Sequence, residues 1–128
     1  MPTRRIRVLV ADDHLHVRRG LLNLMNLEPD IEVIAEACDG QEAVQLARSR
    51  TPEVGIMDVN MPVLDGITAT RMICSEKPGI QVIGLSMMES DHVRKSLLAA
   101  GAKDCFSKTA PIREILDAIR EAVKQPRI

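Results

Sequence analysis

Aromatic residues are almost missing from this 128-residue chain, which has no Trp, no Tyr and a single phenylalanine, Phe106. A flat cofactor or an unstacked base therefore finds no ring to lie against, and the core must be built from aliphatic side chains and Met. No apolar run approaches the roughly 20 residues that a membrane span requires. Ile6 to Ala11 is too short for the core of a signal peptide. The three cysteines, Cys38, Cys74 and Cys105, are widely spaced and form no CxxC. That excludes the usual disulfide and zinc patterns and suits reduced thiols in a cytoplasmic protein. Charge of one sign is also lacking. A net charge of −1 offers no footprint for nucleic acid or an acidic membrane surface, so neither is expected as a direct partner. The basic cluster Arg4, Arg5 and Arg7 reads as a solvated chain end, with local anion contact as the alternative. His14, His16 and His92 share no metal-ligand spacing and read as surface residues, with His14 close enough to its acidic neighbours to feel them.

What is present is ordinary in amount and informative in order. The chain is 45% hydrophobic and 27% charged, enough for a real core in one domain over residues 1–128, with its folded part at about 6–124 and no room for an effector domain. Short apolar runs alternate with helix-like stretches, a pattern of parallel strands buried on both faces. The strands are expected at Ile6 to Ala11, Ile31 to Ala37, Val54 to Met57, Gln81 to Leu85 and Cys105 to Ser107. Glu32 and Glu36 fall on one face of the second strand, which suits an edge position with one wet side. The first helix begins near Leu15 and presents Val17, Leu21, Leu24 and Met25 as its core face. Asp39 and Glu42 have capping-box spacing for the second helix. A third helix covers about Ile67 to Ser75, Ser90 caps a fourth and Gly101 ends it, and Pro111 opens a fifth whose core face is Ile112, Ile115, Leu116, Ile119 and Val123. Five such units are too few for a closed eight-fold barrel. They fit a three-layer, doubly wound α/β fold of the flavodoxin-like type, with a five-stranded parallel sheet of order 2-1-3-4-5 and five helices.

In that order the first and third strands are neighbours, so Asp12, Asp13 and Asp58 meet at the C-terminal edge of the sheet, joined there by Ser86 and Lys108 from the fourth and fifth strands. Two carboxylates about 5 Å apart repel by roughly 3 kcal/mol at an effective dielectric of about 20. Three carboxylates call for cations. Lys108 supplies one charge, and a divalent ion would balance the rest. Oxygen ligands favour Mg²⁺, with Mn²⁺ or Ca²⁺ as alternatives, and Mg²⁺ keeps waters and reaches for phosphate oxygens. A carboxylate beside such an ion can attack phosphorus to form an aspartyl phosphate. Against this stands the plainer reading of a solvated acidic loop, a polar strand end at Ser86 and a solvated Lys108. The methionines Met57, Met61, Met87 and Met88 near these positions read as gap-fillers.

These residues carry a resemblance. Asp12-Asp13, Asp58 followed by Met61-Pro62 and Asp65-Gly66, Ser86, and Gly101-Ala102 through Lys108 resemble the CheY-like receiver domain of two-component response regulators, over almost the whole chain. The opening Asp12-Asp13-His14, with Val17-Arg18 and Gly20-Leu21 behind it, is similar to the subfamily that carries a C-terminal helix-turn-helix. The resemblance implies that Asp58 is the phosphoacceptor for a histidine kinase or phosphotransfer domain. It implies Mg²⁺ held by Asp13, Asp58 and the backbone carbonyl of Asn60, with Asp12 acting through water. It makes Ser86 and Lys108 phosphoryl contacts, and the face of helix four, strand five and helix five the output and homodimer surface. The only catalysis implied is the domain's own phosphorylation and dephosphorylation. The sequence departs from the family at one switch position. Three residues before Lys108 stands Cys105 rather than an aromatic, and Phe106 occupies the next position, which faces the other side of the strand. Met87 is bulkier than the residue usual after Ser86 and is expected to narrow access to Asp58.

Three rival readings stand beside this one. A small Mg²⁺-dependent phosphatase with an Asp nucleophile would share Asp58-Val59-Asn60, but its second acid must move a proton and Asn60 cannot. A flavin carrier would need a phosphate loop after the first strand, where Asp12-Asp13 repel phosphate. A receiver-like interaction module independent of phosphorylation would not need the intact acids.

Overall fold

A computed structural model describes residues 5–87 and 90–124, so Arg4 and Met88 lie outside the described residues. Ten elements alternate: β1 (Ile6–Ala11), α1 (Leu15–Asn26), β2 (Ile31–Ala37), α2 (Gly40–Arg50), β3 (Val54–Asp58), α3 (Gly66–Glu76), β4 (Gln81–Ser86), α4 (Asp91–Ala100), β5 (Asp104–Ser107) and α5 (Ile112–Lys124). All neighbouring strands pair parallel, in the order β2-β1-β3-β4-β5. This is the expected CheY-like, flavodoxin-like sheet, and its centre is β1, β3 and β4. Among the described residues no helix is long and apolar enough to cross a membrane.

Each central strand feeds two cores because successive side chains point to opposite faces. Leu9, Ala11, Met57 and Val82 join one cluster with Ala43, Val44, Ala69, Ile73 and Leu97 from α2, α3 and α4. Val8, Val10, Val54, Ile56, Ile83 and Leu85 join the other with Met25 of α1 and Ile115, Leu116 and Ile119 of α5. Burial on both faces is why these strands read as unbroken apolar runs. Met57 and Met61 fill the first cluster, whereas Met87 is largely exposed.

Two expectations need correction. Glu32 and Glu36 do not share a face. Val8 pairs with Val33 but Leu9 pairs with Ala35, so Ile34 is an extra residue on β2 and the register shifts there. Glu32 then stands opposite Arg7 and Glu36 opposite Val10, positions three apart on β1 and on opposite sides of the sheet. The bulge turns Glu36 towards α1, where Arg18 meets it at 3.0 Å and Arg19 at 3.5 Å. The second correction concerns α1. Met25 is fully buried and Leu21 packs on the core, but Val17 and Leu24 are exposed, as is Leu15. Only one edge of the anticipated apolar face docks on the sheet.

Local chemistry sets the helix ends. Asp39 accepts the Glu42 amide, while the Glu42 carboxylate accepts from the amide of Cys38 rather than Asp39, a capping box displaced by one residue. Asp65 caps α3 through Thr68, and Ser90 caps α4. Gly101, at φ 114°, ends α4 in the left-handed region. The basic start is not simply solvated. Arg7 donates to the carbonyls of Arg50 and Thr51, and Arg5 approaches Glu32 at 3.4 Å.

Arg120 of α5 closes the fold against the turn between α1 and β2. Its guanidinium donates to both Asp30 oxygens, at 2.7 and 2.9 Å, and to Glu28 at 2.7 Å. The Arg120 guanidinium holds the Asp30 carboxyl below the usual aspartate range. A carboxyl with a lowered folded-state pKa adds stability above its ordinary pKa and loses it as pH falls through the lowered value. Arg120→Met is therefore expected to reduce the unfolding free energy by roughly 1–2 kcal/mol at neutral pH. Urea titrations at several pH values should show the deficit shrinking on acidification below the ordinary aspartate range. An unchanged midpoint at neutral pH would contradict this role.

Candidate functional site

The register of β1, β3, β4 and β5 delivers polar residues to one edge. Asp58 and Ser86 are the last residues of their strands rather than the first of the following loops. Asp12 follows β1 directly and its amide still donates to Ala37 of β2, extending that ladder. Lys108 follows β5, and its amide donates to the Ser86 carbonyl at 2.9 Å, which ties the ends of β4 and β5 together. Asp12, Asp58 and Ser86 are 1%, 2% and 4% exposed. A solvated acidic loop does not look like this.

The Lys108 ammonium lies between two carboxylates, 2.8 Å from Asp12 Oδ2 and 3.1 Å from Asp58 Oδ2. These are close ion pairs without directed hydrogen-bond geometry, and Asp13 Oδ1 is likewise buried without a directed hydrogen bond. One oxygen from each of three acids is thus buried and able to take a further ligand. Asp58 Oδ1 accepts the Asn60 amide at 3.3 Å, and Asp12 Oδ1 accepts the His14 amide at 2.8 Å. Donor atoms of Asp12, Asp13, His14 and Asp58 all lie within 4.8 Å of one another. The carboxylates of this set fit a hard divalent cation.

Charge explains the protonation behaviour. Burial, and next the neighbouring Asp12 charge, push the Asp58 carboxyl up to about 6 despite Lys108. Burial works against the Lys108 ammonium, but the Asp12 and Asp58 carboxylates outweigh it and raise its pKa. One lysine cannot satisfy two buried aspartates, so the pocket retains an excess of negative charge.

Two supports escaped the sequence reading. Arg18 donates to the Asp12 carbonyl at 2.7 Å and to Glu36 at 3.0 Å, bracing the acidic loop from below. Its side chain is only 13% exposed, and the sequence marks it only as part of the Val17-Arg18 pair in the subfamily resemblance, with no role attached. Gly66 opens α3 against β3, where a Cβ would collide with the Asp58 carbonyl oxygen. The Asp65-Gly66 pair reads from sequence as a turn, yet its glycine lets the helix start directly against the strand end that carries Asp58. Within the loop between them, Val63 adopts φ 70°, uncommon for a β-branched residue.

The two residues around the departure from the family pattern point to opposite sides. Cys105 packs on the cluster shared with α4, and Phe106 on the cluster shared with α5. Between α4 and β5 lies a cavity of about 290 Å³ lined by Ser86, Ser90, Val93, Arg94 and Cys105. Burial raises the Cys105 thiol pKa.

Comparison with known proteins agrees with this geometry. The response regulator receiver domain family matches residues 8–120. The transcriptional regulatory protein LiaR of Bacillus subtilis is 44% identical over 124 residues, covering 96% of this chain and 59% of LiaR. Response regulator GacA of Pseudomonas viridiflava is 38% identical over 115 residues, covering 90% of this chain and 54% of GacA. The chain thus spans little more than half the length of these relatives. A two-component response regulator of the LuxR family from an Aurantimonas species superposes with a TM-score of 0.90 at 31% identity, over 96% of this chain and 88% of that one.

A carboxyl whose folded-state pKa is raised costs stability above that pKa and returns it as pH falls. In chelator, the wild-type protein is expected to gain stability as pH drops through about 6. Asp58→Asn, which removes the crowded charge, should exceed the wild type at pH 7 by roughly 2 kcal/mol and lack that pH dependence. Thermal or urea unfolding across this range measures both. A destabilised Asp58→Asn variant at pH 7 would contradict the charge account.

Proposed function

This chain belongs to the response regulator receiver domain family of two-component systems, and on that premise we propose that Asp58 accepts a phosphoryl group from the phosphohistidine of a histidine kinase or phosphotransfer domain. In the transfer, a bond forms from an Asp58 oxygen to phosphorus as the phosphorus–nitrogen bond to the donor histidine breaks. The imidazole leaves and takes its proton from solvent. Asp13, Asp58 and the backbone carbonyl of Asn60 would hold Mg²⁺, with Asp12 acting through water. When bound, the ion supplies positive charge to the phosphoryl oxygens, where charge spreads during transfer. Lys108 supplies the second cation. On phosphorylation its ammonium moves its attraction from the Asp58 carboxylate to the new phosphoryl oxygens.

The observation that carries this reading is Lys108 shared between Asp12 and Asp58, with one buried oxygen on each of three acids lacking a directed hydrogen bond. That arrangement leaves a demand for positive charge which a metal ion would meet, and the ion with Lys108 would then hold the phosphoryl oxygens. Ser86, at the end of β4, would hydrogen-bond a phosphoryl oxygen and carry the change to the α4–β5–α5 face, through which the domain would also pair with a second copy. With Cys105 in place of an aromatic, that change would pass through α4 and the cavity beside Ser86 rather than through a swinging ring. Phe106 would remain core filling. The Asp12-Asp13-His14 opening and the similarity to LiaR, a transcriptional regulatory protein, support a transcriptional output through a helix-turn-helix in the parent protein. A cytoplasmic site of action would keep Cys38, Cys74 and Cys105, none of which forms a disulfide, as thiols.

Incubation with Mg²⁺ and a small acyl phosphate, read by intact mass, tests the assignment. The wild type is expected to gain one labile phosphoryl group and Asp58→Asn none. Lys108→Ala should slow the reaction by roughly 100-fold. An equal adduct on Asp58→Asn would overturn it.

A further inference from the structure

The sequence suggests that His14 is a surface residue that merely feels the acids. The structure places it more closely. Its amide donates to Asp12 Oδ1 at 2.8 Å, its carbonyl accepts the Arg18 amide at 2.9 Å, and its side chain caps nothing on α1. With the backbone fixed on both sides, Nδ1 stands 3.1 Å from Asp13 Oδ1 and 3.3 Å from Asp12 Oδ1. Only the Asp12 approach has hydrogen-bond geometry; Asp13 Oδ1 has no directed hydrogen bond. Adjacent donors on an octahedral ion at about 2.1 Å are separated by about 3.0 Å. The spacing of Nδ1 from Asp13 Oδ1 is close to that value.

We propose that His14 Nδ1 is a ligand of the divalent-ion site, which makes the pocket a mixed oxygen–nitrogen site rather than an all-oxygen one. The inference rests on the reading of that pocket as a cation site and adds a ligand to it. Its consequence is selectivity. Imidazole contributes little to Mg²⁺, which holds its waters, but it suits Ni²⁺, Co²⁺ and Zn²⁺, whose affinities already run ahead in the divalent series. Two of the carboxylates are buried and conformationally set, while His14 remains largely exposed at the mouth. The nitrogen can therefore close on a borderline ion or leave its place to water around a hard one. The pocket would then sense which divalent ion the cell supplies, and the phosphorylation chemistry would run beside different ions with different first ligands.

Calorimetric titration of the wild-type protein and His14→Gln with Ni²⁺ and, separately, Mg²⁺ tests this. His14→Gln is expected to lose about tenfold or more in Ni²⁺ affinity while Mg²⁺ affinity stays within about threefold. Mg²⁺ should displace Ni²⁺ from the wild type, which separates this site from adventitious binding at His16 or His92. Co²⁺-loaded wild type should show a paramagnetically shifted imidazole N–H resonance in its proton NMR spectrum, lost in His14→Gln. Unchanged Ni²⁺ affinity, equal losses for both ions or absence of the shifted imidazole resonance would overturn the proposal, with Mg²⁺ binding at the acids untouched. Ni²⁺ held through His14 without any Mg²⁺ binding would instead sink the phosphoacceptor reading and leave the mixed site standing. No binding of either ion overturns both.

Discussion

One ammonium shared by two buried carboxylates is the constraint around which this domain is arranged. Lys108 reaches Asp12 and Asp58 only because β1 and β3 are neighbours and β5 ends at the same edge of the sheet. A single positive charge cannot neutralise that pocket, so folding leaves a deficit of positive charge at this edge of the sheet. The deficit is tolerable because the rest of the sheet is well buried on both faces. On the proposed reading it is useful, because a divalent cation supplies the positive charge it lacks and can then hold a phosphoryl group there. On the proposed reading, stability and function therefore oppose each other at Asp58, as is common where a site is built for a ligand rather than for the fold.

Much of the architecture was legible in the chain. The apolar runs are unbroken because the strands are buried on both sides, and their lengths and order left a doubly wound sheet as the natural solution. The site was legible for the same reason. Its residues stand where apolar runs give way to polar ones, and that change is visible in the sequence even where the strand boundary is off by a residue. Asp58, Ser86 and Lys108 needed only the strand order to be brought together.

What stayed hidden has a physical pattern. The bulge at Ile34 leaves no mark in composition, since the extra residue is as apolar as its neighbours, yet it sends Glu36 to the other side of the sheet and so creates the partner for Arg18. The exposed edge of α1 was hidden because Val17 and Leu24 have helical spacing with Leu21 whether or not the sheet extends beneath them. Arg18 looked like any charged helix residue until its contact with the Asp12 carbonyl was visible. Such contacts depend on tertiary distance, and one sequence carries no record of that. The close approach of Gly66 to Asp58 is similar: the residue type was visible, but the neighbour that demands it was not.

The Arg120 clamp has a consequence for how the molecule comes into being. Its partners, Asp30 and Glu28, lie some ninety residues earlier in the chain. The helix that carries it covers Val8, Val10, Val54 and Ile56 on one face of the sheet, a face it shares with α1. During vectorial synthesis these early strands therefore leave the ribosome with α1 as their sole cover on that side, until α5 has emerged. Contacts this distant in sequence form late and slowly. Until α5 is made, one face of this sheet is a sticky half-sandwich, and chaperones that shield exposed aliphatic surface have their opportunity before Arg120 docks.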